Sequence, residues 1–496
     1  MKKSFRTTIS TLLAAVLLLG LVACGGGGSG DEPAGQPAEQ PAGQPTEQSA
    51  GQQNAPAEQP AGQPADQPAE QPDASAEIIE LTVLNYFSMV NPNALLELEV
   101  VWDAFERDNP DIKIIREDEF EEPYHQKTEA YAAAGQLPDV MFVWPSGRST
   151  TLHTQHLLKD LGPLVERDGL AQYFTPLSFD VSQQGAGYLG MITRGVTVTN
   201  AFYVNMEVLN EVGLEPAKTY SELKAQVPVL AAAGYETIVM PNESTWVMQS
   251  CLFSLVAGRF MGENWEQKVL SGELSFTDPD FVAALDFIKM LYDDGVINQS
   301  SIVIEYGVGP GLFATNVGAY YIDGDWRVGD FLTDANTGEA LISPERQENI
   351  LITVFPEIDL PGVKFNRSDT AVLATGWGIN ADIPEGSAKE EAAWRLVKWL
   401  TGKETQTFLV ETGGISTPSR TDVDISAMAS LEPMQKAIAN IGKDFDISTV
   451  VIDAAFDAPV YNPLNDGLQA IGMGTMTPQQ VAQITQDAFD AWKASQ

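Results

Sequence analysis

Two places in this sequence hold residue types at spacings that could do chemistry. Asp323 and Asp325 flank a glycine directly ahead of Trp326, in GAYYIDGDWR. Paired carboxylates can divide acid and base roles at a glycosidic bond when they stand roughly 5–10 Å apart on either side of it. They can also open a calcium loop, but such a loop needs an oxygen ligand at its fifth position, where Arg327 stands. His153 and His156 are spaced to share one helical face as metal ligands do, yet no carboxylate pattern accompanies them. With 68 acidic residues in 496, roughly nine acid-x-acid pairs arise by chance, so the two aspartates mean little without Trp326. A flat aromatic plate flanked by carboxylates or amides suits the C–H face and the hydroxyls of a sugar ring.

The rest of the chain narrows these options. It carries 28 basic against 68 acidic residues, a net charge of −40. Phosphate binding depends on clustered Lys and Arg, so nucleic acid is not an expected partner, and anionic lipid surfaces repel such a body. There are two cysteines, Cys24 and Cys251. The second lies in the apolar stretch WVMQSCLFSLVAG and reads as a small buried hydrophobe. No Gly-x-Ser-x-Gly elbow, P-loop or dinucleotide fingerprint is present, and no metal or cofactor is expected.

The first 23 residues, basic at MKKSFR and then apolar, have the pattern of an export signal. They end in Leu21-Val22-Ala23-Cys24, which resembles the lipobox of bacterial lipoproteins. In that family cleavage precedes the cysteine, which then carries lipid. Residues 24–76, with near-repeats of AGQPAEQP, hold no aromatic side chain and too little apolar surface to fold, so a disordered spacer is expected.

The remaining roughly 420 residues suffice for two globular units. Strand patterns at 77–87, 111–116 and 139–144 alternate with helical patterns, one of them with Leu95, Leu98, Trp102 and Phe105 on a single face. That order implies a parallel α/β layer, whose ligands bind beyond the carboxyl ends of the strands. Here those ends are Asn85–Ser88 and Trp144–Arg148. Further strands are expected at 196–205, around Tyr320, at 350–355 and at 372–380. Helices are expected after the capping residues Thr219 and Asp278, and through most of the chain beyond residue 380.

Four segments in order carry a resemblance: YHQKTEAYAAAGQLPDVMFVW, FYVNMEVLNEVGL, FATNVGAYYIDGDW, and the long run from GWGIN to STPSR. They resemble the sugar-type, maltose-like extracellular solute-binding proteins of bacterial ABC importers. Met206 departs from the pattern, standing where that family commonly has lysine. The resemblance implies a periplasmic-binding-protein-like α/β fold of two lobes. Each lobe is a mostly parallel sheet flanked by helices, and hinge strands cross between them. The first lobe is expected at 77–195 plus 356–385, the second at 196–355 plus 386–496.

It also implies a monomer without enzymatic activity that binds a carbohydrate between the lobes and delivers it to membrane permease and ATPase subunits. The membrane is reached through the lipid on Cys24 alone. Trp326 takes the place of the family's stacking tryptophan, with Asp323 and Asp325 beside it. By motif position Trp144, Arg148, Glu243, Trp246, Trp377, Asn85 and Ser88 join the candidate ligand contacts. A cationic solute such as a polyamine is the alternative cargo, because aromatic boxes with carboxylates also suit cations. A glycan-acting enzyme is a more distant alternative.

Overall fold

In the computed structural model, the described residues are 78–145, 147–179, 187–439, 441 and 447–495. The expected signal, the spacer and Cys24 lie outside the described residues.

Three sheets organise the chain. The first runs β2-β1-β3-β11-β4 and comprises Ile79–Tyr86 (β1), Ile112–Glu119 (β2), Val140–Val143 (β3), Ile192–Thr193 (β4) and Gly376–Ile379 (β11). The second is a small crossing sheet of Gly195–Val198 (β5), Ser368–Leu373 (β10), Thr417–Pro418 (β12) and Ile447–Thr449 (β13), in the order β12-β5-β10-β13. The third has Ala201–Asn205 (β6), Glu236–Val239 (β7), Gly318–Asp323 (β8) and Ile350–Thr353 (β9), ordered β7-β8-β6-β9. The outer two sheets belong to two lobes, each flanked by helices and each with its own apolar core.

Register explains the strand directions. β1 runs parallel to both β2 and β3, while β11 is antiparallel to both β3 and β4. In the third sheet β6 is antiparallel to β8 and β9, and β7 is parallel to β8. Each lobe sheet is therefore one-directional except for a single strand, β11 or β6. Those two strands follow directly on crossing strands, so they enter their lobe from the hinge and run away from it. The sequence pattern suggested single strands at 196–205 and 372–380. The structure breaks both, at Thr199-Asn200 and Ala374-Thr375, because the chain there passes from the crossing sheet into a lobe. Thr199 is buried at that step, its hydroxyl donating to the Ser250 carbonyl at 2.9 Å.

Helices close the cores where their apolar faces require it. Helix Pro279–Asp293 begins as Asp278-Pro279 suggested, and it buries Phe281, Leu285, Ile288 and Leu291 in the second core. Helix Tyr220–Ala233 opens with the Thr219 side chain accepting the Glu222 amide. Two allotments of chain differ from expectation. Helices Ala388–Leu400 and Lys403–Glu411 pack into the first core, not the second, through Trp394, Leu396, Val397, Phe408 and Leu409. Ile358 packs into the second core, not the first. In both cases an amphipathic pattern ensures burial without naming the sheet that provides it.

Candidate functional site

The carboxyl ends of the lobe strands meet between the lobes, and most of the candidate residues sit there. On the first lobe, β1 ends in Tyr86, β2 leads to Phe120 and Glu121, and β3 leads to Trp144. Their rings form one cluster: Tyr86 lies 4.8 Å from Phe120, 5.1 Å from Trp144 edge-on and 5.6 Å from Phe142. His125 backs this cluster, 4.5 Å from the Trp144 ring. Burial, assisted by nearby Arg148, pushes the His125 pKa down to about 3, so its imidazole is neutral. Burial pushes the Tyr86 hydroxyl up to about 12, opposed by the positive charge of Arg148, so it stays protonated as a donor. Glu121, beside it, holds φ 55 and ψ −140, a backbone state that non-glycine residues rarely adopt.

On the second lobe, β8 ends in Asp323 and the chain turns through Gly324 into Trp326. The glycine is required there: a Cβ at Gly324 would lie 2.2 Å from the tryptophan ring, which folds back over it. The Trp326 indole donates to the Tyr306 hydroxyl at 2.7 Å. Trp246 stands 4.8 Å from Tyr306 edge-on and 6.3 Å from Trp326. Three rings thus share one patch, half-buried at Trp246 and Trp326.

Beneath them lies an ionic frame. The buried Asp323 carboxylate accepts from the Tyr321 hydroxyl at 2.7 Å, the Gly324 amide at 2.8 Å and Arg327 Nε at 2.9 Å. Arg327 also donates to Asp330 at 2.7 Å and to the Tyr306 carbonyl at 2.9 Å, with its guanidinium 3.6 Å over the Tyr306 ring. The pair that opened the question is therefore divided in role. Asp323 is 0% exposed and fixes Arg327 and Tyr306, so it supports the patch from below and corrects the expectation of a direct ligand contact. Asp325, also buried, accepts the Val198 amide at 3.2 Å and so joins the patch to crossing strand β5.

The two faces oppose one another. The Arg148 guanidinium of the first lobe lies 5.6 Å over the Trp246 ring of the second. The Glu121 carboxyl is raised by its burial, opposed by Arg327 across the gap and reinforced by Glu243. Glu243 itself is exposed, at the turn after β7.

Other candidates lie apart from this patch. Trp377 sits on the reversed strand β11, 3% exposed, edge-on to Trp102 at 5.7 Å and Phe142 at 5.3 Å. Its ring lies on the sheet face covered by Trp102, within the first core, which corrects the expectation for that residue. Asn85 is likewise buried and donates to Asp118 at 3.0 Å. Ser88 is half-buried just beyond β1, where its hydroxyl accepts the Val90 amide at 3.4 Å. Sequence reasoning missed Tyr306, Arg327 and Glu121. Tyr306 lies in a short turn with no motif around it, and the i,i+4 spacing of Asp323 and Arg327 was the one available signal for that pair.

Among the described residues no group of His, Cys, Asp and Glu could hold a metal ion, and no helix is long and apolar enough to cross a membrane. His153 is buried and bonds the Trp144 carbonyl at 2.8 Å, a structural use of one of the paired histidines.

The family model of bacterial extracellular solute-binding proteins matches residues 101–436. The chain belongs to that family. Its members are binding proteins rather than enzymes, which accords with a cleft lined by rings over a fully bonded carboxylate. No curated protein sequence matches the chain. Among solved structures, it is similar to one described with xylan utilization by the thermophilic bacterium Caldanaerobius polysaccharolyticus, at 20% identity, 82% and 99% coverage of the two chains and a TM-score of 0.72. A chitin oligosaccharide binding protein is similar at 21% identity, 83% and 98% coverage and a TM-score of 0.72. A maltose/maltodextrin-binding domain from Bdellovibrio bacteriovorus, bound to maltotriose, is similar at 20% identity, 84% and 100% coverage and a TM-score of 0.63. At these identities the likeness is one of fold.

Proposed function

We propose that this solute-binding protein captures a carbohydrate, an oligosaccharide, between its lobes and delivers it to the permease and ATPase of an ABC importer while tethered by lipid at Cys24. One observation carries the carbohydrate reading. Trp246, Tyr306 and Trp326 form an aromatic patch at the carboxyl end of β8, opposite Tyr86 and Trp144. Sugar rings offer flat C–H faces to such plates, and the edges of the patch carry polar groups suited to hydroxyls: the Tyr86 hydroxyl, Glu121 and Glu243. The names of the xylan-, chitin- and maltose-associated relatives agree with this cargo.

A thermal-shift screen of the purified protein over xylo-, chito- and malto-oligosaccharides tests it. A ligand at 100 times its Kd adds about 2.7 kcal/mol of stability. Stabilisation by spermidine and by none of the sugars would replace the carbohydrate reading with the cationic one. For the tether, Cys24→Ser should release the protein from the membrane fraction, and retention there at high salt would refute a lipid anchor.

A further inference from the structure

Arg148 is the candidate ligand contact whose surroundings point elsewhere. It follows β3 on the first lobe, yet its partners lie mostly on the second. Its Nε stands 3.4 Å from Asp453 Oδ2 and its guanidinium 5.6 Å over the Trp246 ring, while Glu122 of its own lobe is more distant at 3.8 Å. Asp453 is held ready from behind, accepting the Ser250 hydroxyl at 3.0 Å on the same oxygen. Both members of the pair are largely removed from water, with side chains 16% and 10% exposed.

The neighbouring backbone carries a second, independent mark of this contact. Gly147 has φ 41, and a Cβ placed on it would lie 1.3 Å from the Asp453 carbonyl oxygen. The obstruction is across the lobe boundary: Asp453 belongs to the helix Ile452–Ala455, whose Ile452 is in the second core. A glycine is therefore demanded at 147 by the approach of the other lobe.

We propose that Gly147, Arg148 and Asp453 form an interlobe latch, which holds part of the unliganded population closed and makes Arg148 a positioning residue rather than a ligand contact. The apparent affinity of a ligand that needs the closed state scales with the fraction already competent to bind it. A latch made of one partly buried ion pair, one cation–π contact and one close backbone approach biases that fraction without fixing it.

Hydrogen exchange on the full unliganded chain tests the latch directly. Asp453→Asn keeps the shape of the side chain, and Arg148→Met keeps the apolar stem against Trp246. Each should speed exchange several-fold in peptides covering 147–154 and 452–456, and leave core strands 140–143 and 318–323 unchanged. The double variant should exceed neither single one. Unchanged exchange at 147–154, or an equal loss of protection in the core strands with both substitutions, would overturn the proposal.

A ligand arm rests on the carbohydrate reading above. With maltotriose, chitotriose and xylotriose as probes, whichever binds the wild type should bind each variant about tenfold more weakly, the equivalent of 1.4 kcal/mol. If the wild type binds none of the three, the carbohydrate reading fails while the exchange arm still decides the latch.

Discussion

On the first lobe the rings facing the cleft are braced by other rings: Tyr86, Phe120, Tyr124, His125, Phe142 and Trp144 touch one another edge-on, tilted or, for Tyr86 and Phe142, stacked, over a core strand. On the second lobe they are braced by charge, with Tyr306 held between Arg327 and Asp323, and Trp326 hung from Tyr306 by one hydrogen bond. The difference lies in what each face tolerates. A ring cluster loses contacts gradually when one member is trimmed. A buried ionic frame fails abruptly, since removing one charge strands the other.

Asp323→Asn should cost the second lobe most. The substitution removes one of the two carboxylates paired with the buried Arg327, leaving Asp330, and unsettles the donors that converge on Asp323, so a loss of roughly 2–4 kcal/mol in unfolding free energy is expected in denaturant titrations. A loss comparable to that of an ordinary surface substitution would show that the second face is also held mainly by packing. Next in size is Trp326→Ala. If the ring is a cleft plate, binding of the stabilising sugar should weaken by roughly 2–4 kcal/mol in calorimetry. The unliganded melt should move little, whereas Trp377→Ala, in the first core, should lower stability by about 3–5 kcal/mol and spare the cleft. A Trp326→Ala protein that binds normally but melts early would exchange the two roles.

The smallest effect is on pH dependence, where the lobes should respond in opposite directions. His125 has a folded pKa of about 3 against an ordinary 6.5, so its burial costs nothing above pH 6.5 and destabilises progressively as pH falls toward 3. Glu266 in the second lobe is buried, and burial raises its pKa to about 7 from 4.5. Its burial costs nothing below pH 4.5 and destabilises as pH rises through 7. Glu266→Gln should therefore raise the melting temperature at pH 8 and not at pH 4. His125→Phe should do so at pH 4 and not at pH 8. Matching shifts at both pH values would mean that packing, not charge, governs these sites.

Much of this arrangement was legible before the structure. The succession of strands and helices and the location of Trp144 at a strand end follow from alternation and the rule that ligands meet strand carboxyl ends, while the place of Trp326 came through the resemblance. Trp377 misled because the strand pattern does not say which face of the sheet its ring takes, and that face is covered by Trp102. Asp323 misled because local sequence shows a carboxylate but not the five donors that converge on it: Tyr321, Gly324, Arg327, Tyr306 and Cys251. Tyr306 was invisible for the complementary reason. Its partners are brought to it by tertiary structure, and nothing in its own neighbourhood announces them.

The return of helices Ala388–Leu400 and Lys403–Glu411 to the first core bears on how such a chain leaves the cell. Strands β1 to β3 emerge early, but part of the surface they bury against is made nearly 250 residues later, counting from Val143 to Ala388. Contacts this far apart in sequence are slow to form. Until the later helices appear, the early strands lack the partners that complete their core. The first lobe's core is complete only once residues 388–411 have been made, late enough for an exported chain to be threaded before that lobe finishes folding.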